Sequence, residues 1–216
     1  TMFAIAYSYV AETEKNLLPD VLKVFTQTAT EVCEGQQYDL NYEKFHRLAV
    51  EDYLTMIHLK TAVLFGASLK IGAIIGGAAQ KDAELLYNFG EQIGMAFQLR
   101  DDLLDAFGNE DIFGKKTGGD ILVNKKTYLL IKAYEKASKS QAMELDRLMC
   151  EKNISDSDKI KGVTSIYNDL NIKRLTEEKM EAYYSKALTF LGQVNIKEDQ
   201  KTELNKLGSS LMKRVY

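Results

Sequence analysis

Apolar residues recur three and four positions apart along most of the chain, which is the spacing of one face of an α-helix. Residues 1 to about 14, TMFAIAYSYV running into AETEKN, read as the middle of a buried helix that Asn16 to Pro19 break. Pro19 suits the first turn of the next helix, where its missing N–H would be unpaired in any case. There Val21, Leu22, Phe25, Ala29 and Val32 fall at helical spacing. That helix is expected to end around Gly35 to Asp39. The fragment EGQQYDL reads as a cap, or more sharply as support for a nearby site. From Val50 the pattern resumes, and the stretch Thr61 to Ala79 is apolar enough to raise the question of a membrane span, with Gly72 and Gly76 at GxxxG spacing. Lys70 near its middle argues against a span, because a charge at the bilayer centre costs roughly 2.5 to 3.5 kcal/mol. Gly66, Ala67, Ser68, Gly72, Ala73, Gly76 and Gly77 are read instead as small residues of a core helix that neighbours approach closely.

Residues Asp82 to Phe107 form the next predicted helix, with Leu85, Leu86, Phe89, Ile93, Ala96 and Phe97 toward the core. Lys126 to Ala137 is amphipathic, with Leu129, Leu130, Ala133 and Ala137 on one side. Shorter helices are expected at about 140 to 151, 156 to 169, 173 to 192 and 198 to 213. Ser155 with Asp158 resembles a capping box. The fold class expected is therefore all-α, and nothing in 216 residues forces a second domain.

Composition supports this, with a single proline, no tryptophan, and much leucine, alanine, lysine and glutamate. The net charge of −3 and the scattered basic residues exclude the footprint of a nucleic-acid binder. Two isolated cysteines, Cys33 and Cys150, favour a reduced, cytoplasmic setting. The N-terminus lacks a basic leader region and begins inside a helical pattern without a cap, so further residues are expected to precede it.

The candidate chemistry lies between Phe97 and Thr127, FQLRDDLLDAFGNEDIFGKKTGGDILVNKKT. On an ideal helix, positions four apart differ by about 40° and roughly 6 Å of rise, so Asp101 and Asp105 share a face, with Gln98 on it too. Like charges at that spacing cost roughly 0.2 to 0.5 kcal/mol unless something offsets them. Gly114, Gly118 and Gly119 follow, allowing close backbone approach, with Lys115, Lys116, Lys125 and Lys126 in the same stretch. Lys116 and Arg100 are read as solvated charges. No EF-hand spacing is present, and GNEDIFGKK has the wrong glycine spacing for a Walker loop. Carboxylates beside lysines without either motif point to a diphosphate held through Mg²⁺.

FQLRDDLLDAFG resembles the second aspartate-rich motif of the trans-isoprenyl diphosphate synthases, the polyprenyl synthetase family that includes farnesyl and geranylgeranyl diphosphate synthases. GKKTGGDILVNKKT after it and HLKTAVLF before it match in the same order. The resemblance implies a bundle of long helices around a deep apolar cavity, with two aspartate-rich motifs facing each other across its mouth. It also implies three Mg²⁺ ions, an allylic diphosphate and isopentenyl diphosphate as substrates, no membrane span, and a homodimer for the full-length enzyme. Carried onto this chain, Asp101, Asp102 and Asp105 are the metal-binding residues, while Lys60, Thr61, Gln98, Lys115 and Lys125 contact the allylic diphosphate. Catalysis is assigned to Asp101, Asp105, Lys60 and Lys115. The reaction implied is ionisation of the allylic diphosphate, attack by the double bond of isopentenyl diphosphate, and loss of a proton.

The family's first aspartate-rich motif and its basic cluster for isopentenyl diphosphate are not found in the chain. The expectation is therefore a C-terminal two thirds that is inactive alone, and product length is not legible. A non-catalytic helical partner of a complete synthase is the competing reading, against which the intact DDLLD weighs. A terpene cyclase is disfavoured by the KT and GKKTGGD features.

Overall fold

The computed structural model describes residues 1–108, 117–151 and 153–212, and these form helices and turns with no strand among them. In chain order the helices are α1 (Met2–Ala11), α2 (Leu18–Tyr42), α3 (Val50–Ile57), a π-helical turn at His58–Ala62, α4 (Val63–Ile75) and α5 (Gln80–Phe107). After the loop come α6 (Gly119–Leu122), α7 (Tyr128–Lys136), α8 (Lys139–Cys150), α9 (Asp156–Asp169), α10 (Ile172–Gln193) and α11 (Glu198–Met212). The all-α expectation holds, and α5 is the axis, packed along α4 on one side and α10 on the other.

Three apolar clusters run along α5. Leu85, Leu86, Phe89 and Ile93 meet Ala187 and Leu191 of α10 at one end. Met95, Leu99 and Leu103 meet Tyr53, Met56 and Ile57 of α3 in the middle. Ala106 joins Leu129, Leu145, Val163 and Tyr167 at the other end. Phe97, expected in the core, is only half-buried and stacks at a tilt on Phe65.

Several expectations are corrected. No residue of α1 is buried; among the described residues its main packing is against α2, with Tyr7 edge-on to Phe25 at 4.8 Å between ring centres. α2 does not end at Gly35 to Asp39 but continues to Tyr42. Gly35 is not a cap: a Cβ there would lie 2.3 Å from the backbone nitrogen of Lys60, so the glycine lets α2 cross the π-helical turn at close range. Of the small residues in α4, Gly66 makes such a contact against Tyr87, whereas Gly72 faces open space, so the GxxxG spacing marks no helix contact. By length and composition Val50–Ile75 could cross a membrane. In the structure it packs on α2 and α5, and its Lys70 pairs with Glu84 at 2.5 Å and lies over the Tyr87 ring. α7 buries more than one stripe, because Tyr128 and Ile131 enter one cluster and Leu129, Leu130 and Ala133 another. Lys126 precedes the Thr127 cap rather than beginning the helix.

Ser155 caps α9 as expected, accepting from the Asp158 N–H. A reciprocal capping box at Ser138 and Gln141 begins α8.

Candidate functional site

The C-terminal end of α5 meets the π-helical turn and the segment 117–127, the C-terminal part of α2 packs on that turn, and most of the predicted residues among those described gather there. The turn at His58–Ala62 adds a residue to one helical turn, a distortion often found at functional sites. It carries Lys60 and Thr61. Thr61 Oγ1 donates to Gln98 Oε1 at 3.1 Å, and Gln98 Nε2 donates to Asp102 Oδ1 at 3.2 Å. Lys60 Nζ donates to Asp39 Oδ2 at 2.6 Å, so Lys60 is an ion-paired residue of the site rather than a loose surface lysine.

The three aspartates occupy unlike environments. Asp101 is exposed, and Asp102, about 100° further round the helix, is buried. Gln98, expected alongside Asp101 and Asp105, is bonded to Asp102 one turn on. The Tyr53 hydroxyl of α3 donates to Asp102 Oδ2. Asp105 is half-buried, and its Oδ2 accepts the Asp120 N–H at 2.9 Å. Gly118 makes this possible from φ +84°, the left-handed conformation open to glycine, and its N–H reaches the Asp105 carbonyl at 2.6 Å.

Lys125 supplies the positive charge. Its Nζ lies 3.0 Å from Asp120 Oδ2 and 3.8 Å from Asp102 Oδ1. Burial alone would lower its pKa, but Asp102 and Asp120 more than offset that and raise it. Burial pushes the Asp102 carboxyl up to about 7 despite Lys125, Tyr53 and Gln98, and it raises Asp105 as well despite the Asp120 N–H.

Lys115, together with Gly114 and Lys116, lies outside the described residues. Arg100 is half-buried rather than a solvated charge. Tyr53, Asp39 and Asp120 were not singled out from the sequence as site residues. Asp120 had a signal, an acid inside a loop of glycine and lysine; Tyr53 had none beyond being an aromatic on an amphipathic helix. Lys159 supports the same loop from α9, its Nζ donating to Asn124 Oδ1 at 2.7 Å and to the Leu122 carbonyl at 3.1 Å.

Among the described residues no three His, Cys, Asp or Glu side chains lie close enough to hold a metal ion by themselves. The donors nevertheless fit a hard divalent cation. Asp102 and Asp120 flank one ammonium, Asp105 accepts the Asp120 N–H beside them, and burial holds Asp102 and Asp105 above their ordinary pKa. Mg²⁺ is commonly held by one or two carboxylates while phosphate and water complete its octahedron.

Toward the other end of α5 a cavity of about 730 Å³ opens between α2, α4 and α5, lined by Val24, Thr28, Lys70, Ile74, Glu84 and Tyr87 among others. Glu84 and Asp102 are eighteen residues apart, roughly 27 Å of helix at about 1.5 Å per residue.

A family model described as polyprenyl synthetase matches residues 1–167. The geranylgeranyl diphosphate synthase of Methanosarcina mazei is 39% identical over 142 residues, covering 64% of this chain and 44% of that protein. The geranylfarnesyl diphosphate synthase of Aeropyrum pernix is 29% identical over 221 positions, covering 100% of this chain and 68% of its own. Among solved structures, a geranylgeranyl pyrophosphate synthase superposes with a TM-score of 0.92 at 39% identity, over 99% of this chain and 66% of that one. The geranylgeranyl pyrophosphate synthetase of Pyrococcus horikoshii superposes with a TM-score of 0.89 at 28% identity, over 98% of this chain and 64% of that one. The chain spans about half the length of most of the curated relatives it matches.

Proposed function

The chain belongs to the polyprenyl synthetase family, and from that premise we propose that it carries the allylic-diphosphate half of a prenyl diphosphate synthase site. The whole protein would condense isopentenyl diphosphate with an allylic diphosphate. The observation that carries this reading is the convergence of Thr61, Gln98 and Lys125 on Asp102 at the carboxylate end of α5, with Lys60 beside Thr61 in the same turn, from three separate stretches of sequence. Magnesium at Asp101 and Asp105, with Asp102 beside them, would neutralise the charge that develops on a departing pyrophosphate.

The residues of the chain do the rest. Lys60 and Lys125 exchange part of their pairing with Asp39 and Asp120 for diphosphate oxygens, and Thr61 and Gln98 offer neutral hydrogen bonds that fix its orientation. Such donors are already in place before charge develops, which is where electrostatic catalysis gains most. Lys115 is assigned the same role on sequence resemblance. The prenyl chain would lie along α5 toward the cavity beside Tyr87. Residues 1–216 are read as one helical domain of this family, working in a reduced, cytoplasmic setting, and as a homodimer in the whole enzyme.

Calorimetry of the 216-residue chain with pyrophosphate, with and without Mg²⁺, tests this. Binding that requires both is expected, because one carboxylate face supplies too few ligands to dehydrate the ion alone. Equal affinity for pyrophosphate in the two conditions would sink the reading.

A further inference from the structure

Tyr53 is not among the residues that the family resemblance assigns to the site, yet it is 1% exposed and its hydroxyl is spent on Asp102. Asp102, 2% exposed, thereby has both oxygens engaged: Oδ2 by Tyr53, and Oδ1 by Gln98 at 3.2 Å with Lys125 at 3.8 Å. Two carboxylates flank the Lys125 ammonium, and they are held differently. Asp120 sits on a four-residue helix beyond the glycine-rich loop. Asp102 sits in the long central helix, with its side chain tied to α3 through Tyr53 and to the π-helical turn through Gln98 and Thr61. The side chain of Lys125 keeps 34% of its surface open while two carboxylates hold its ammonium.

We propose, on the functional reading above, that Tyr53 is a positioning residue: by locking Asp102 it fixes the Lys125 ammonium where a diphosphate is received. Asp102 is then the anchor of Lys125 more than a ligand of a metal ion, and metal binding falls to Asp101 and Asp105. The physical basis is the cost of leaving a buried carboxylate oxygen without its donor, which drives the side chain to seek another arrangement. Any such rearrangement moves the charge that faces Lys125. A purely structural tyrosine would affect stability without changing the behaviour of one particular lysine.

The test uses the full chain with Tyr53→Phe, which removes only the hydroxyl, and Asp102→Asn, which keeps an acceptor for Tyr53 and removes the charge. Each variant is acylated with limiting acetic anhydride at fixed pH, and every lysine is quantified by peptide mapping. Lys125 is expected to react several-fold faster in both variants than in the unaltered chain, with Lys206 on the exposed face of α11 unchanged. Calorimetry with Mg²⁺ and pyrophosphate then closes a cycle with Lys125→Gln. Tyr53→Phe should weaken binding in the unaltered background, and its effect should shrink by about threefold or more once Lys125 is gone, as coupled residues in one network do. An unchanged Lys125 rate in folded Tyr53→Phe, or additive losses in the cycle, overturns the proposal. If Tyr53→Phe does not fold, Tyr53→Met, which also removes the hydroxyl, takes its place in both measurements and is judged by the same outcomes. Absence of pyrophosphate binding by the unaltered chain defeats the functional reading, while the labelling still decides the role of Tyr53.

Discussion

At the scale of single residues, the aspartates of one short motif have different work to do because burial separates them. In a complete enzyme bearing this segment, Asp101→Ala is expected to lower kcat more than it raises KM, since a ligand used mainly as pyrophosphate departs contributes in the transition state. Steady-state kinetics with an allylic diphosphate checks this, and a change confined to KM would mean that Asp101 only binds. His58 offers a pH signature away from the aspartates of α5. Its hydrogen bond to Glu91 at 2.8 Å, against the opposing effect of burial, raises its pKa above the ordinary 6.5. A group bound more tightly to its proton in the folded state contributes stability fully below its unfolded pKa and loses it as pH rises through the folded value. Urea midpoints should therefore fall from about pH 6 upward through neutrality, and His58→Gln should flatten that slope. The same slope in both proteins would remove His58 from the account.

Elements differ in how much holds them. α2 crosses the π-helical turn only because position 35 lacks a side chain, and a Cβ there would meet Lys60 backbone atoms at 2.3 and 2.7 Å. Gly35→Ala is expected to destabilise the chain by about 1 to 3 kcal/mol, the usual cost of overpacking a close contact. It should also displace Lys60 and so weaken pyrophosphate binding. Urea unfolding and calorimetry on the same variant read the two effects, and a stable variant with intact binding would show that the crossing has slack. α1 lies at the other extreme, with Met2 87% and Tyr9 68% exposed. Its amides are expected to exchange with deuterium faster than those of α5, because helices with few buried contacts open locally. Protection of α1 equal to that of α5 would indicate that its apolar face is covered in solution, most simply by a second copy.

For the molecule as a whole, the described residues bring one aspartate-rich helix to the site, and no basic cluster for a second diphosphate was legible in the sequence. We expect the 216-residue chain to bind Mg²⁺ and pyrophosphate but not to form prenyl diphosphates by itself. Holding the nucleophile in attack geometry can contribute about 7 to 11 kcal/mol, and ionisation needs the leaving group neutralised from both sides. Labelled isopentenyl diphosphate with an allylic partner and Mg²⁺ provides the assay. Turnover at ordinary enzyme rates would mean that a second set of catalytic residues in the chain was overlooked.

Helical periodicity, composition and three ordered motifs were enough to determine the all-α class, most helix bounds and the family, because these are properties of neighbouring positions. Ser155 and Asp158 are such a case: three residues apart, they cap α9 whatever packs around it. The motif likewise brought Asp101, Asp105, Gln98 and Lys125 into view as residue types suited to a metal and a diphosphate. The sequence carried no sign that Gly35 is a crossing point or that Tyr53 reaches across from α3, although the spacing of Asp102 from Leu99, Leu103 and Ala106 already put it on the apolar stripe and Asp101 off it. The crossing and the reach are decided by which surfaces meet. Tyr53 and Asp102 lie 49 positions apart, and Lys60 and Asp39 lie 21 apart, separations at which no helical period acts. Only the packing of α5 between its neighbours strips Asp102 of its water, and with that loss come its raised pKa and its need for partners.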